Sequence, residues 1–310
     1  MSEMRLDGHV AVVTGAGRGL GREHAILLAS RGARVIVNDP GVELDGSGGD
    51  RSPAQEVADL IVSRGGEAIA NFDAVGTVEA GETLIAQAID SWGQIDILVN
   101  NAGIFTDRYT FLDTTQNSFE RVLQVHLYGT INCTRAAWPH MQARRYGKII
   151  NTTSAVGFVG STGRLEYGVA KAGIHGFTRT LSLDSLDHGI YINEISPGAG
   201  TRPVSASSHF FSDELLAKFS PHLVSPTVLW LAHPDTTANG ETFTAIAGTT
   251  AQVIFGESYG FGSDDPTPEA IRDNQEKIFL SDSVYQAGLV RHHEADGQGQ
   301  AMISRFGNRI

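Results

Sequence analysis

The chain has 310 residues, 41% hydrophobic and 19% charged, an ordinary composition for a globular protein and ample for a sizeable core. Its formal net charge of −12 argues against a nucleic-acid binder and leaves any phosphate contact to local Arg or Lys groups. Cys133 is the only cysteine, which excludes an intrachain disulfide or a cysteine metal cluster. With no signal-peptide run and no apolar stretch of about 18 residues, no membrane partner is expected and the expected setting is cytoplasmic.

His9 to Thr14 reads as a buried strand that ends abruptly in Gly15, Gly17, Gly19 and Gly21, with helical spacing in Ala25, Ile26, Leu28 and Ala29 behind them. Strand, glycine turn and helix N-terminus together make a pyrophosphate cradle: backbone N–H groups reach the phosphates and the helix dipole favours their charge. The next strand, Arg34 to Asn38, delivers Asp39, which stands 18 residues after Gly21, where an acidic side chain grips ribose hydroxyls. A carboxylate there repels the extra phosphate of NADP and favours NAD, although Arg18 would attract a 2′-phosphate and Pro40-Gly41 fits a mere turn cap. Residues 41–53 read as an inserted surface loop before a helix over Pro53–Arg64.

Glu67–Phe72 is the third expected strand, ended by Asp73 at the adenine rim; a helix follows over Val78–Trp92, then a fourth strand over Ile95–Val99 closed by Asn100 to Gly103. One helix is expected over Gln116–Arg144. Lys148–Thr153 reads as the fifth strand and carries Ser154 at its C-terminal end, where ligands bind in open α/β sheets. Residues 155–165 are expected as a loop returning the chain to that crevice. Tyr167 and Lys171 lie four apart on a helix over Tyr167–Asp187, so an ammonium stands beside a phenol on one face. That neighbour favours the ionised phenol and suits Tyr167 to move a proton near neutral pH. Ile190–Ile195 is the sixth strand, with a turn from Pro197. Residues 203–226 read as a substrate lid lined by Phe210, Phe211, Leu215 and Leu216, or equally as core; Thr242–Ala247 is a seventh, edge strand. His292 and His293 are adjacent, which is poor ligand geometry, so no metal site is expected.

The set TGAGRGLG at 14–21, NNAG at 100–103, Ser154, Tyr167 with Lys171, and Pro197-Gly198 resembles the short-chain dehydrogenase/reductase family. VNDPG at 37–41, VHLYGT at 125–130, AAWPHM at 136–141, YGKIINTTS at 146–154, the run 228–243 and the run 267–278 look like one branch of it. That branch is the (3R)-hydroxyacyl-CoA dehydrogenase unit of peroxisomal multifunctional beta-oxidation enzymes and its bacterial relatives. The resemblance implies a Rossmann-type, doubly wound parallel sheet of about seven strands with helices on both faces. It implies one dinucleotide-binding and catalytic domain over residues 1–250, with 251–310 as an extension packed on the core or on a neighbouring subunit. It also implies a homodimer or homotetramer built on the Gln116–Arg144 and Tyr167–Asp187 helices.

By the same resemblance Ser154 holds the substrate oxygen, Tyr167 is the general acid/base, and Lys171 lowers the Tyr167 pKa and holds the nicotinamide ribose. His126 stands where many members have an Asn of a proton relay; a relay role and a packed helix histidine both stay open. The implied cofactor set is Gly15, Arg18, Gly19, Leu20, Gly21, Asp39, Asp73, Ala74, Asn100, Asn101, Ala102, Gly103, Tyr167, Lys171, Pro197, Gly198 and Thr201, the last on the carboxamide. The expected activity is NAD-dependent oxidation of a small-molecule secondary alcohol, foremost a (3R)-3-hydroxyacyl-CoA, with Arg108, Arg164 and Arg202 as candidates for its phosphates. The alternatives are a hydroxysteroid or other bulky alcohol and, remotely, a non-catalytic NAD-binding regulator. The closing tripeptide Asn308-Arg309-Ile310 is not a peroxisomal Ser-Lys-Leu address.

Overall fold

The structure is a computed structural model that describes residues 3–107, 109–199, 218–256, 258, 260–264 and 266–279. It divides into two compact units, Met1–Gln252 and Val253–Ile310. In the second unit Thr267 caps a short helix over Pro268–Asp273, its hydroxyl accepting from the Ala270 N–H at 3.1 Å.

The first unit opens with β1 (Val10–Thr14), α1 (Gly19–Ser30), β2 (Arg34–Asn38), α2 (Ser52–Ser63), β3 (Glu67–Asn71), α3 (Val78–Trp92) and β4 (Ile97–Asn100). After α4 (Gln116–Leu123), a π turn over Gln124–Tyr128 and α5 (Gly129–Arg144) come β5 (Gly147–Thr152), the short α6 (Val156–Val159) and α7 (Leu165–Ser185). β6 (Ile190–Gly198), α8 (Ser225–Ala232), β7 (Thr242–Ile246) and β8 (Thr249–Gln252) complete it. The strands form one sheet in the order β3-β2-β1-β4-β5-β6-β7-β8. All neighbours are parallel except β7 and β8. The order reverses between β1 and β4, so the crevice for a ligand opens at the C-terminal ends of those strands.

Period-two alternation explains why both faces are dry. Ala11 and Val13 join one core cluster with α1, α2 and α8, while Val10 and Val12 join the other with α3 and α5. Leu84, fully buried on α3, is a keystone of the second cluster. Leu84→Ala is expected to cost about 3 kcal/mol through lost transfer energy and a cavity, read as a lower urea midpoint at unchanged slope.

Five expectations need adjusting. The Gln116–Arg144 helix is interrupted by the π turn, and residues 155–165 contain α6. β6 runs on through Pro197 and Gly198, which pair with Ala245 and Ile246 instead of opening a turn. β7 is not the edge: Ala247 (φ 49°) and Gly248 (φ 79°) turn the chain back into the antiparallel β8, the left-handed pair that a tight hairpin requires. The end of the expected lid is core, since Val224 and Ser225 are buried and Ser225 Oγ lies 2.8 Å from Nδ1 of His24 on α1. Gly200, Thr201, Arg202, residues 203–217 with Phe210, Phe211, Leu215 and Leu216, Arg108, His292 and His293 lie outside the described residues. Among the described residues no helix is long and apolar enough to cross a membrane.

Candidate active site

The glycine turn is held by the loop that follows β4. Thr14 Oγ1 accepts from the N–H groups of Asn101 and Ala102, both at 3.0 Å. The Asn101 amide donates to the carbonyls of Thr14 (2.9 Å) and Gly15 (3.1 Å). Gly15 adopts φ 63°, and a Cβ there would stand 2.8 Å from the Ala102 Cα. A Cβ on Gly21 would stand 2.2 Å from the Gly15 carbonyl oxygen. Side chains are excluded from both positions, which keeps backbone N–H groups at the surface of the turn. α1 begins at Gly19 with no side-chain cap on its first N–H groups and no acid in its first turn, while Leu20 packs onto the first core cluster. Free N–H donors at a helix start suit a pyrophosphate.

Asp39 projects from the end of β2 toward this turn. Its Oδ2 accepts from the Gly17 N–H at 2.9 Å and its Oδ1 from the Gly41 N–H at 2.7 Å. Arg18 acts on Asp50 of the inserted loop, whose carboxyl is held below its usual range chiefly by the Ser52 N–H and hydroxyl, with Arg18 adding. The inserted loop is itself ordered, its Leu44 carbonyl accepting from the Phe105 N–H at 2.7 Å. Beyond β3 a cavity of about 480 Å³ is lined by Pro40, Asp50, Arg51, Phe72, Asp73 and Gln87, with Arg51 stacked on Phe72 at 5.0 Å. Asp73 is fixed there by the Asn71 amide (2.9 Å), and Ala74 follows it exposed at the rim. The glycine cradle, the uncapped helix start, Asp39 and this cavity run along one edge of the sheet and fit a dinucleotide. Asn100, by contrast, turns inward, its amide donating to Asn151 (2.9 Å) and Thr134 (3.1 Å).

The chemistry-bearing side chains meet where β4, β5 and α7 converge. Tyr167 is half-buried, its ring 5.0 Å from Phe105 and edge-on to His126 at 5.3 Å. Ser154, whose Oγ accepts from the Val156 N–H at 3.2 Å, acts on the Tyr167 phenol, pulling it down against burial. Lys171 is buried and its Nζ donates to the Thr152 carbonyl at 2.5 Å, 5.6 Å from the Tyr167 ring centre. Burial raises the Tyr167 phenol above its ordinary value against the lowering pull of Ser154 and Arg164. In this arrangement burial outweighs the groups that lower the phenol. Burial likewise brings Lys171 down to about 7, opposed by the carboxylate of Glu194. Arg164 lies 5.6 Å over the Phe105 ring and donates to the Thr106 carbonyl at 2.6 Å.

His126 sits on the inner side of the π turn, 2% exposed, its Nε2 at 2.8 Å from the Ile104 carbonyl and 3.1 Å from the Ile104 N–H. Among the described residues its buried Nδ1 has no hydrogen-bond partner, and none joins His126 to Lys171. Burial, with Lys171 second, depresses His126 to about 3, and burial alone does the same to His24. Both histidines stay neutral when folded and take a proton when unfolded, so the unfolded state binds more protons between pH 6.5 and about 3. The stability they contribute is complete above pH 6.5 and is lost as pH falls. Each is expected to withdraw about 2 kcal/mol by pH 5, and His126→Asn should flatten that slope in urea titrations at pH 7.5 and 5.

Phe105 against the Tyr167 ring, and Glu194 bonded to His175 of α7, were not expected from the sequence. A single charged residue inside the apolar run 190–196 was the available signal for Glu194.

A model of the short chain dehydrogenase family matches residues 9–209. The peroxisomal multifunctional enzyme type 2 of Mus musculus is 42% identical over 281 residues, covering 89% of this chain and 37% of that protein. The chain thus spans well under half the length of that relative. A short-chain type dehydrogenase/reductase of Mycobacterium tuberculosis is 38% identical over 265 residues, covering 85% of this chain and 90% of that protein. Among solved structures, a 7α-hydroxysteroid dehydrogenase complexed with NADH and 7-oxo glycochenodeoxycholic acid superposes with a TM-score of 0.69 at 28% identity, over 80% of this chain and 96% of that one.

Proposed function

The chain belongs to the short-chain dehydrogenase family, whose members are oxidoreductases acting on CH–OH groups with a nicotinamide dinucleotide, and from that premise we propose that it oxidises a (3R)-3-hydroxyacyl-CoA with NAD. The observation that carries the reading is the convergence of Ser154, Tyr167 and Lys171 at the C-terminal edge of the sheet, next to the glycine cradle. A nicotinamide held by the glycine turn and Lys171 would supply the acceptor for the carbinol hydride. Ser154 orients the substrate hydroxyl, Tyr167 takes its proton, and the Lys171 ammonium supports the phenolate and holds the nicotinamide ribose. Because burial holds the Tyr167 phenol high, oxidation rises with pH as that group ionises.

Two carboxylates support NAD over NADP: Asp39 at the end of β2, bonded to the Gly17 N–H of the glycine turn, would meet a ribose there, and Asp50 acts with Arg18, the cation otherwise available to a 2′-phosphate. The motif runs shared with peroxisomal multifunctional enzymes support the thioester. A hydroxysteroid is the second reading, supported by the bile-acid complex of the solved relative. Exposed Tyr128, Leu165, Val169 and Leu183 support a homodimer or homotetramer formed through the π turn and α7.

The test is NADH formation at alkaline pH with (3R)- and (3S)-3-hydroxyacyl-CoA, hydroxysteroids and simple secondary alcohols, each with NAD and NADP. Selective turnover of the (3R) thioester with NAD is the expected result. Turnover confined to steroids or free alcohols rejects the thioester, and a preference for NADP rejects the role given to Asp39.

A further inference from the structure

The chain leaving the loop after β4 is held at each residue from Gly103 to Thr106. The His126 ring packs against Gly103, where a Cβ would stand 2.4 Å from its Cε1, and His126 Nε2 lies 2.8 Å from the Ile104 carbonyl. Ile104, 3% exposed, joins Val122 and Ala170 in a third apolar cluster, onto which Tyr167 and Val42 of the inserted loop both pack. The Phe105 N–H donates to the Leu44 carbonyl of the same loop at 2.7 Å. That loop is tied in turn to α4, where Arg121 donates to the Asp45 carbonyl. The Thr106 hydroxyl donates to Glu166, a buried carboxylate of α7, and the Thr106 carbonyl accepts from Arg164 at 2.6 Å.

With its backbone fixed on both sides, Phe105 has only its side-chain torsions left, and packing sets them. Its ring lies 5.0 Å from the Tyr167 ring at 31° between planes, within the range of stacked aromatic pairs. The Arg164 guanidinium stands over the same Phe105 ring at 5.6 Å. Phe105 is half-buried, so part of the ring faces open space beside the phenol. The Tyr167 ring also meets His126 edge-on at 5.3 Å and has the Lys171 ammonium 5.6 Å from its centre. Its flanks are therefore largely taken, and Phe105 is the apolar flank that reaches the crevice.

We propose that Phe105 is a specificity-determining residue, a pinned wall beside the Tyr167 phenol that admits alcohols unbranched next to the carbinol and excludes branched ones. The inference rests on the reading of Tyr167 as the acid/base. A substrate hydroxyl giving its proton to the Tyr167 oxygen stands about 2.7 Å from it. The carbons bonded to the carbinol then come alongside the ring stacked on the phenol. A straight acyl chain passes an aromatic face, whereas a methyl branch or the fused ring carbon of a steroid meets it. The wall does not yield cheaply, because moving Phe105 strains the bond to Leu44 and the two bonds of Thr106. The same ring thereby separates the two substrate classes, favouring the linear thioester over the steroid.

The experiment compares kcat/KM for a straight-chain (3R)-3-hydroxyacyl-CoA with that for the same ester carrying a methyl branch beside the carbinol. Wild type, Phe105→Leu and Phe105→Ala are measured at saturating NAD. Where free secondary alcohols are turned over instead of thioesters, a straight and a branched member of that class form the pair, so the comparison survives a change of substrate class. The preference of the wild type for the straight substrate is expected to fall about tenfold or more in Phe105→Ala, with the branched substrate turned over faster than by the wild type and Phe105→Leu in between. A purely structural role lowers both rates alike. An unchanged preference, or one that falls only through loss of straight-chain turnover, overturns the proposal. If Phe105→Ala does not fold, the same ratio in Phe105→Leu decides. Full activity in Tyr167→Phe removes the acid/base reading, whereas an inactive Tyr167→Phe with an unchanged preference in Phe105→Ala removes only the role of Phe105.

Discussion

Tyr167→Phe is expected to lower kcat about a thousandfold while leaving cofactor affinity and thermal stability near wild type. The reason is that the substitution deletes one oxygen and nothing else. The ring keeps its contacts with Phe105 and His126, and α7 keeps its length and its hold on Lys171. Ser154, half-buried, keeps the hydrogen bond its Oγ accepts from the Val156 N–H. Kinetics of the variant with NADH binding followed by fluorescence make the comparison. A rate within tenfold of the wild type would remove Tyr167 from the chemistry and pass the proton transfer to another group.

Gly21→Ala is the second large effect, and it falls on structure before chemistry. The new methyl would lie 2.2 Å from the Gly15 carbonyl oxygen and 2.5 Å from the Asn101 amide nitrogen. Both atoms belong to the junction that holds the glycine turn against the loop after β4, so neither moves without breaking a hydrogen bond. The cost is about 3 kcal/mol, comparable to overpacking a core, and it displaces the backbone N–H groups of the turn. Cofactor affinity should fall by more than tenfold and the melting temperature by several degrees. A variant that melts and binds like the wild type would show that the turn relaxes freely, and that the close approach is not a constraint.

The sequence was most readable where one local rule governs. Strands such as Arg34–Asn38 and helices such as Val78–Trp92 follow from uninterrupted periodicity and matched in extent, because burial on both faces leaves little choice of residue. The convergence of Ser154, Tyr167 and Lys171 was legible through resemblance as well as spacing. Long-range partners were not. Nothing local to Asn100 announces that its amide turns to Thr134 and Asn151, and nothing near Tyr167 announces the stack with Phe105. Glu194 meets His175 across 19 residues and Thr242 across 48, so its burial depends on a sheet order the chain does not print. The raised direction of the Tyr167 phenol was hidden for a related reason: a neighbour's charge is visible in the spacing, whereas desolvation appears only once the walls are in place.

The π turn at Gln124–Tyr128 fixes how much chain this part of the molecule tolerates. It holds one residue more than an α-helical turn would, and each residue of an α-helix advances the side chains by about 100°. The turn absorbs that residue locally, so deleting it would give a continuous helix with the faces of α4 and α5 near their present registers, while the turn's own residues would shift and His126 would leave the Ile104 backbone. Val122, outside the turn, would stay in its cluster with Ile104 and Ala170.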